Sequence, residues 1–271
     1  MTRSDWDELP ATVRDAITQH TGTICCIKPA AVGNHADIAS AIIGDDRRKV
    51  FVKAARKLPE KDGPEVVSLR TEAEVNPFVR EFTPRLLWTE EVGGWLVLAF
   101  EYVTGRHPSY SPDSPDLELV AATVNRLQKT PRPDVVQRPV TNRWALPGED
   151  VSPMAGEALL HTDLNASNIL VTPDESVYIV DWAFVSRGAP WVELAQMIPW
   201  MLDAGHTPES VESWLGQFPA WTQTDSGSID HYARLHTAVW ERRKGLFPDQ
   251  KWIPPYLELV KRWANYRGVL E

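Results

Sequence analysis

Three polar residues at fixed spacing carry the strongest chemical signal in this chain. They are His161, Asp163 and Asn168, set as H-x-D-x-x-x-x-N between the apolar runs Leu159-Leu160 and Ile169-Leu170-Val171. A fourth, Asp181, ends the apolar run Val177-Tyr178-Ile179-Val180. The intervening turn, 172–176, is short enough for a hairpin-like connection, which brings Asn168 and Asp181 close together. A carboxylate can orient a hydroxyl and take its proton. An amide oxygen and a second carboxylate are hard ligands of the kind magnesium accepts, one or two from protein and the rest from phosphates and water. Phosphoryl transfer needs that set, since most of its catalysis is positioning and charge neutralisation. Asp163 is the candidate base, and Asn168 and Asp181 are the candidate magnesium ligands. The plain alternative is a polar loop in which Asp163 and Asn168 are turn formers. The flanking apolar runs and the Asp-terminated strand weigh against it.

The elements that must position these residues divide into two kinds. Residues 5–20 read as an amphipathic helix, with Leu9, Val13 and Ile17 at helical spacing. Strand-like runs follow at 23–28, 36–43 and 49–54, the last after the turn signal Gly44-Asp45-Asp46. Residues 64–80 read as a helix with Pro64 in its first turn, and 85–88 and 95–102 as strands around Gly93-Gly94. After Gly105 the character changes. Prolines mark a loop, 117–128 reads as a helix, and 131–153 is a proline-rich connection. A strand pair is expected around 159–171 and 177–181, and the chain from Trp191 on is mostly helical. This is an α+β chain with a small β-rich lobe at 1–102, a hinge near residue 102 and a larger helical lobe at 103–271.

The segments HTDLNASNILV and YIVDWAF resemble the catalytic and metal-binding loops of the aminoglycoside phosphotransferase and choline kinase-like family, which has a protein-kinase-like two-lobed fold. The resemblance implies an antiparallel sheet in the small lobe and an ATP- and Mg²⁺-dependent enzyme. It implies that Asp163 is the base, that Asn168 and Asp181 hold the metal, and that His161 braces the catalytic loop. Val50-Phe51-Val52-Lys53-Ala54 matches the family's third strand, implying that Lys53 binds ATP phosphates; Lys49 and Lys57 stand nearby. Ser68–Glu74 resembles the helix that supplies a glutamate to that lysine, with Glu72 the best match and Glu74 the second. WLVLAFEYVTG, 95–105, looks like the strand entering the hinge. It implies that the Glu101 carbonyl and the Val103 N–H meet the adenine edge, with Phe100 behind.

The likeness thins in three places. The phosphate-covering loop of protein kinases has three glycines; here Pro29–His35 offers Gly33 and Asn34 for phosphate contact, and His35 reads as a surface residue. Glu193 stands where the family usually has aspartate. Little chain separates Asp181 from the helix that Pro190 begins, so the long activation segment of protein kinases is missing and a protein substrate is disfavoured.

Composition bounds the partners. The chain has 271 residues, 43% hydrophobic and 24% charged, which is ordinary globular composition. A net charge of −9 makes nucleic acid a poor partner and suits a cationic substrate better. Cys25 and Cys26 are adjacent, which suits neither a disulfide nor a metal site and fits a reducing cytoplasm. The polar start MTRSDWDELP lacks the apolar region of a signal peptide, and no apolar stretch is long enough to span a bilayer. From Asp203 on there are nine acidic and eight basic residues. That is no obvious acidic sink for a cationic sugar, with Asp203, Glu209 and Glu212 the candidates to gather on one face. The late tryptophans Trp200, Trp214, Trp221, Trp240, Trp252 and Trp263 read first as packing anchors and second as a stacking surface. The function expected is transfer of a phosphate from ATP to a hydroxyl of a small molecule. The acceptor is an aminoglycoside or other antibiotic, or else a choline-like, amino-alcohol or sugar metabolite. A non-catalytic nucleotide-binding module is the reading from another class.

Overall fold

The computed structural model describes residues 6–30 and 36–270. In chain order the elements are α1 (Ala11–Thr21), β1 (Ile24–Pro29), β2 (Ile38–Gly44), β3 (Lys49–Arg56), α2 (Pro64–Val75), β4 (Leu86–Val92) and β5 (Trp95–Glu101). There follow α3 (Asp116–Leu127), β6 (Ala158–Leu160), β7 (Ile169–Val171), β8 (Val177–Ile179) and β9 (Ser186–Gly188). The chain ends in α4 (Trp191–Asp203), α5 (Pro208–Leu215), α6 (Pro219–Thr222), α7 (Ser226–Leu246) and α8 (Ile253–Tyr266). Two compact units result. One runs through His107 and takes in Ser167–Phe184; the other holds Pro108–Ala166 and the chain from Val185 on.

In the first unit the five strands form one antiparallel sheet in the order β1-β2-β3-β5-β4. The two-residue period of a strand sends alternate side chains to opposite faces. Val52 and Ala54 therefore join Ile38, Ile42, Val97 and Ala99 on one face, which α1 covers with Val13 and Ile17. Ala55 joins Leu96, Leu98 and Phe100 on the other, against Val66 and Leu69 of α2. Lys53 pairs in register with Leu98 and so shares the α2 face. That alternation is what aims a lysine at a helix. Pro10 and Pro64 set the starts of α1 and α2, where a missing N–H costs nothing. Because Pro10 interrupts the run, the helix expected over 5–20 begins only at Ala11, after a 3₁₀ turn at Trp6–Glu8.

The strand pair expected around 159–171 and 177–181 is shorter and shared out differently. β7 pairs with β8 in the first unit, whereas Leu159 and Leu160 belong to β6, which pairs with β9 in the second. Both leucines are buried, so apolarity marked them as strand without saying which partner they take. The second unit is otherwise helical. Nearly all of α4 is buried, including Glu193, Gln196 and Pro199, as befits a helix packed on every side. Among the described residues no helix is long and apolar enough to cross a membrane.

Candidate active site

A cavity of about 280 Å³ lies within the first unit, walled by Phe51, Lys53, Phe100, Asn168 and Asp181 and by the hinge segment after β5. Lys53 is the central charge. Its Nζ lies 2.7 Å from Glu72 Oε2 and 3.0 Å from Oε1, and 3.4 Å from Asp181 Oδ1. Burial pulls the ammonium toward its neutral form. The Asp181 and Glu72 carboxylates outweigh that pull and hold its pKa above the ordinary lysine value. Glu74, two residues on, is exposed, because a helix turns it away from the face that carries Glu72.

Glu101 and Val103 line the same cavity. The Glu101 side chain is turned outward to Arg85, at 2.8 Å, and its N–H donates to the Arg85 carbonyl. Val103 lies past the end of β5 and lines the cavity, and among the described residues its N–H has no hydrogen-bond partner. Phe100 forms the apolar wall. Gly33 and Asn34, expected at the phosphates, lie outside the described residues, as does His35.

Asn168 and Asp181 are brought together by the β7–β8 hairpin. Ile169 pairs with Ile179, and the Val180 N–H donates to the Asn168 carbonyl at 2.8 Å. Asp181 holds φ at +66°, a left-handed conformation that aspartate visits more readily than most residues. Next to it the fully buried Trp182 anchors the turn, with Nε1–H donating to the Ile179 carbonyl at 3.1 Å. Among the described residues no three His, Cys, Asp or Glu side chains are grouped to hold a metal. An all-protein cage is therefore not what this site offers. One amide oxygen and one carboxylate lining the same cavity fit Mg²⁺, which completes its shell from phosphates and water.

Asp163 belongs to the second unit, on a loop whose backbone is pinned from several sides. The Glu193 carboxylate accepts the N–H of His161 at 2.5 Å and of Thr162 at 2.8 Å. Burial pushes the Glu193 pKa up to about 7, against the lowering effect of those two N–H donors. His161 is fully buried, and its Nδ1 accepts the Asp163 N–H at 3.2 Å, a bracing contact and not an exposed proton carrier. Asn165 Nδ2 donates to Asp163 Oδ1 at 3.0 Å, and the Tyr110 hydroxyl donates to the Leu164 carbonyl at 3.1 Å. Arg143 Nη1 donates to the Thr162 carbonyl at 2.8 Å and to Gln196 Oε1 at 2.9 Å. Arg143, Gln196 and Tyr110 carry no local motif that sequence reasoning could have used. Each matters only through where the chain folds it.

Residues 149–235 match the model of the Phosphotransferase enzyme family, APH. The chain is a phosphotransferase. The matched stretch contains both Asp163 and Asp181 and agrees with the resemblance carried by the two loop motifs. No curated protein matches the phosphotransferase in sequence. Among solved structures it is similar to choline kinase LicA from Streptococcus pneumoniae, at 15% identity and a TM-score of 0.65 over 94% of this chain and 98% of that one. It is similar to an aminoglycoside phosphotransferase from Alicyclobacillus acidocaldarius, at 13% identity and a TM-score of 0.61 over 98% and 95%. AMP-bound spectinomycin phosphotransferase APH(9)-Ia matches at 10% identity with a TM-score of 0.61 over 93% and 96%. These likenesses establish the kinase-like fold of the phosphotransferase.

The three candidate carboxylates for a cationic acceptor are held differently. Glu212 is engaged by Arg267 Nη1 and by Trp263 Nε1, each at 2.9 Å, while Asp203 and Glu209 are exposed. Of the late tryptophans, Trp221 and Trp263 are core residues, and Trp252 is about half exposed.

Proposed function

We propose that this phosphotransferase moves the γ-phosphate of ATP, with Mg²⁺, to a hydroxyl of a small molecule. The observation that carries the reading is the Lys53 ammonium, held by Glu72 and Asp181 at the wall of a cavity that Asn168 also lines. A buried cation between two carboxylates is a costly arrangement for stability alone. It becomes useful where polyphosphate must be bound. In this reading Lys53 contacts the α and β phosphates, and the Glu101 carbonyl and Val103 N–H take the adenine edge. Gly33 and Asn34 are assigned to phosphate contact by the sequence resemblance alone. Asn168 and Asp181 would hold Mg²⁺, which when bound offsets the negative charge of the phosphates.

Asp163 accepts the proton of the acceptor hydroxyl as its oxygen bonds to the γ-phosphorus, and the bond to the β–γ bridging oxygen breaks, leaving ADP. Asn165 and the Glu193-pinned backbone keep the Asp163 carboxylate in one orientation. Use of ATP, together with two cysteines that form no disulfide, supports a cytoplasmic enzyme. The test is Asp163→Asn. It should lower kcat by about 10²-fold or more while ATP affinity stays within a few-fold. An unchanged kcat would remove Asp163 from the role of base.

A further inference from the structure

Arg243 of the second unit is held by an aromatic ring. Arg234 on α7 is bound by Glu149 at 2.6 Å, and Arg267 after α8 by Glu212 at 2.9 Å and Asp230 at 2.5 Å. Arg243, also on α7, is partly buried and has no carboxylate within ion-pair distance among the described residues. Its guanidinium stacks instead over the Trp240 indole, 4.6 Å from the ring centroid. Trp240 tilts against Tyr256 of α8 at 4.5 Å and meets Trp252 edge-on at 5.3 Å, and Trp200 of α4 closes on Tyr256 at 5.2 Å.

This aromatic group is joined to the catalytic loop by direct contacts. The Tyr256 hydroxyl lies 3.4 Å from His236 Nε2, and His236 Nδ1 accepts the Trp144 indole N–H at 2.9 Å. Arg143, next in the chain to Trp144, donates to the carbonyl of Thr162, which immediately precedes Asp163. His236 is pushed down to about 3 by burial and by the nearby Arg243 and Arg143, so the positive charge here resides on the two arginines.

An aromatic cluster alone would suit a quaternary ammonium. Here the face of Trp240 is already taken by a guanidinium, and a second cation would meet a like charge at short range. A stacked guanidinium still presents its N–H edge, whose fork matches a carboxylate. The half-exposed Trp252 ring, edge-on to Trp240, can cover an apolar or flat body. The overall charge of −9 does not decide the matter, because charges beyond about 10 Å are screened in physiological salt.

We propose that Arg243, stacked on Trp240 and backed by Tyr256 and Trp252, is the acceptor subsite, and that it selects a hydroxyl compound carrying a carboxylate. This deepens the phosphotransfer reading above and rests on it.

The test uses the full chain and two acceptor series of similar size whose members carry a negative charge, no charge or a positive charge. One is gluconate, glucose and glucosamine; the other is 3-phenyllactate, 3-phenyllactamide and phenylalaninol. Phosphate transfer from ATP and quenching of tryptophan fluorescence are read for the wild type, Arg243→Gln and Arg243→Lys. The carboxylate member should be preferred in at least one series. Its KM should rise about tenfold or more in Arg243→Gln, with kcat little changed and partial rescue in Arg243→Lys. Preference for the cationic or neutral member, or a carboxylate KM unmoved in Arg243→Gln, overturns the proposal. So does the absence of both transfer to and quenching by the carboxylate members. Failure to bind ATP, or equal turnover in Asp163→Asn, instead overturns the phosphotransfer reading on which it rests.

Discussion

The Glu193 carboxylate accepts the backbone N–H of Thr162 at 2.8 Å, and Thr162 itself holds φ at +69°. A non-glycine residue in that region is strained and persists only where its surroundings over-determine it. Glu193 supplies that constraint from α4, and the strained residue is the one before Asp163. The helix thus constrains the backbone that carries the Asp163 carboxylate.

The same contact makes stability depend on pH. Burial raises the Glu193 pKa from 4.5 to about 7. Between those values the folded protein keeps a proton that the unfolded chain releases, so stability falls as pH rises through this window and levels off above it. The contribution is roughly 3 kcal/mol. Urea unfolding of wild type and Glu193→Gln near pH 4.5 and near pH 8 should show this extra loss in the wild type only. Parallel pH dependence in the two proteins would contradict it.

Lys53→Met leaves Glu72 and Asp181 buried without the ammonium between them. Breaking one side of a buried ion cluster costs about 3–5 kcal/mol. The double variant Lys53→Met, Glu72→Leu should be more stable than Lys53→Met alone, because it removes one stranded carboxylate. Denaturant midpoints decide this, and additive losses would show that Lys53 and Glu72 are not coupled.

Asp181→Asn preserves the shape and suits the positive φ, since asparagine is tolerated there. It removes the charge on which a magnesium ligand depends. The Mg²⁺ concentration giving half-maximal activity should rise roughly tenfold or more. A titration unchanged from wild type would move the metal elsewhere.

Gly105 faces the backbone of β7. A Cβ there would lie 2.9 Å from the Val171 carbonyl oxygen and 3.3 Å from its carbon. Arg106 and Val171 exchange two backbone hydrogen bonds at this point, of 2.9 and 2.8 Å. Gly105→Ala should open that pairing, destabilise the protein by about 1–3 kcal/mol and weaken ATP binding. Thermal melting and ATP titration read the two effects, and wild-type values in both would mean that β7 can yield at no cost.

Much of the site could be read in one dimension. A lysine inside Val50–Ala54, a glutamate at helical spacing, and Asp163, Asn168 and Asp181 beside apolar runs are local patterns, because strand alternation and hairpin turns act over a few residues. The register that puts Lys53 on the α2 face, and the turn of helix that favours Glu72 over Glu74, follow from those same short periods. Tertiary structure decided what no short period encodes. Leu159 and Leu160 look like partners for the hairpin that follows, yet they pair with β9, since an apolar pair is satisfied by any buried edge. Glu193 and Arg143 reach the Asp163 loop, and Tyr256 and Trp252 reach Trp240, only because segments distant in sequence pack together, whereas Arg243 lies over Trp240 within one turn of α7. Long-range packing chooses among many chemically equivalent contacts, and that choice is made by the whole core at once.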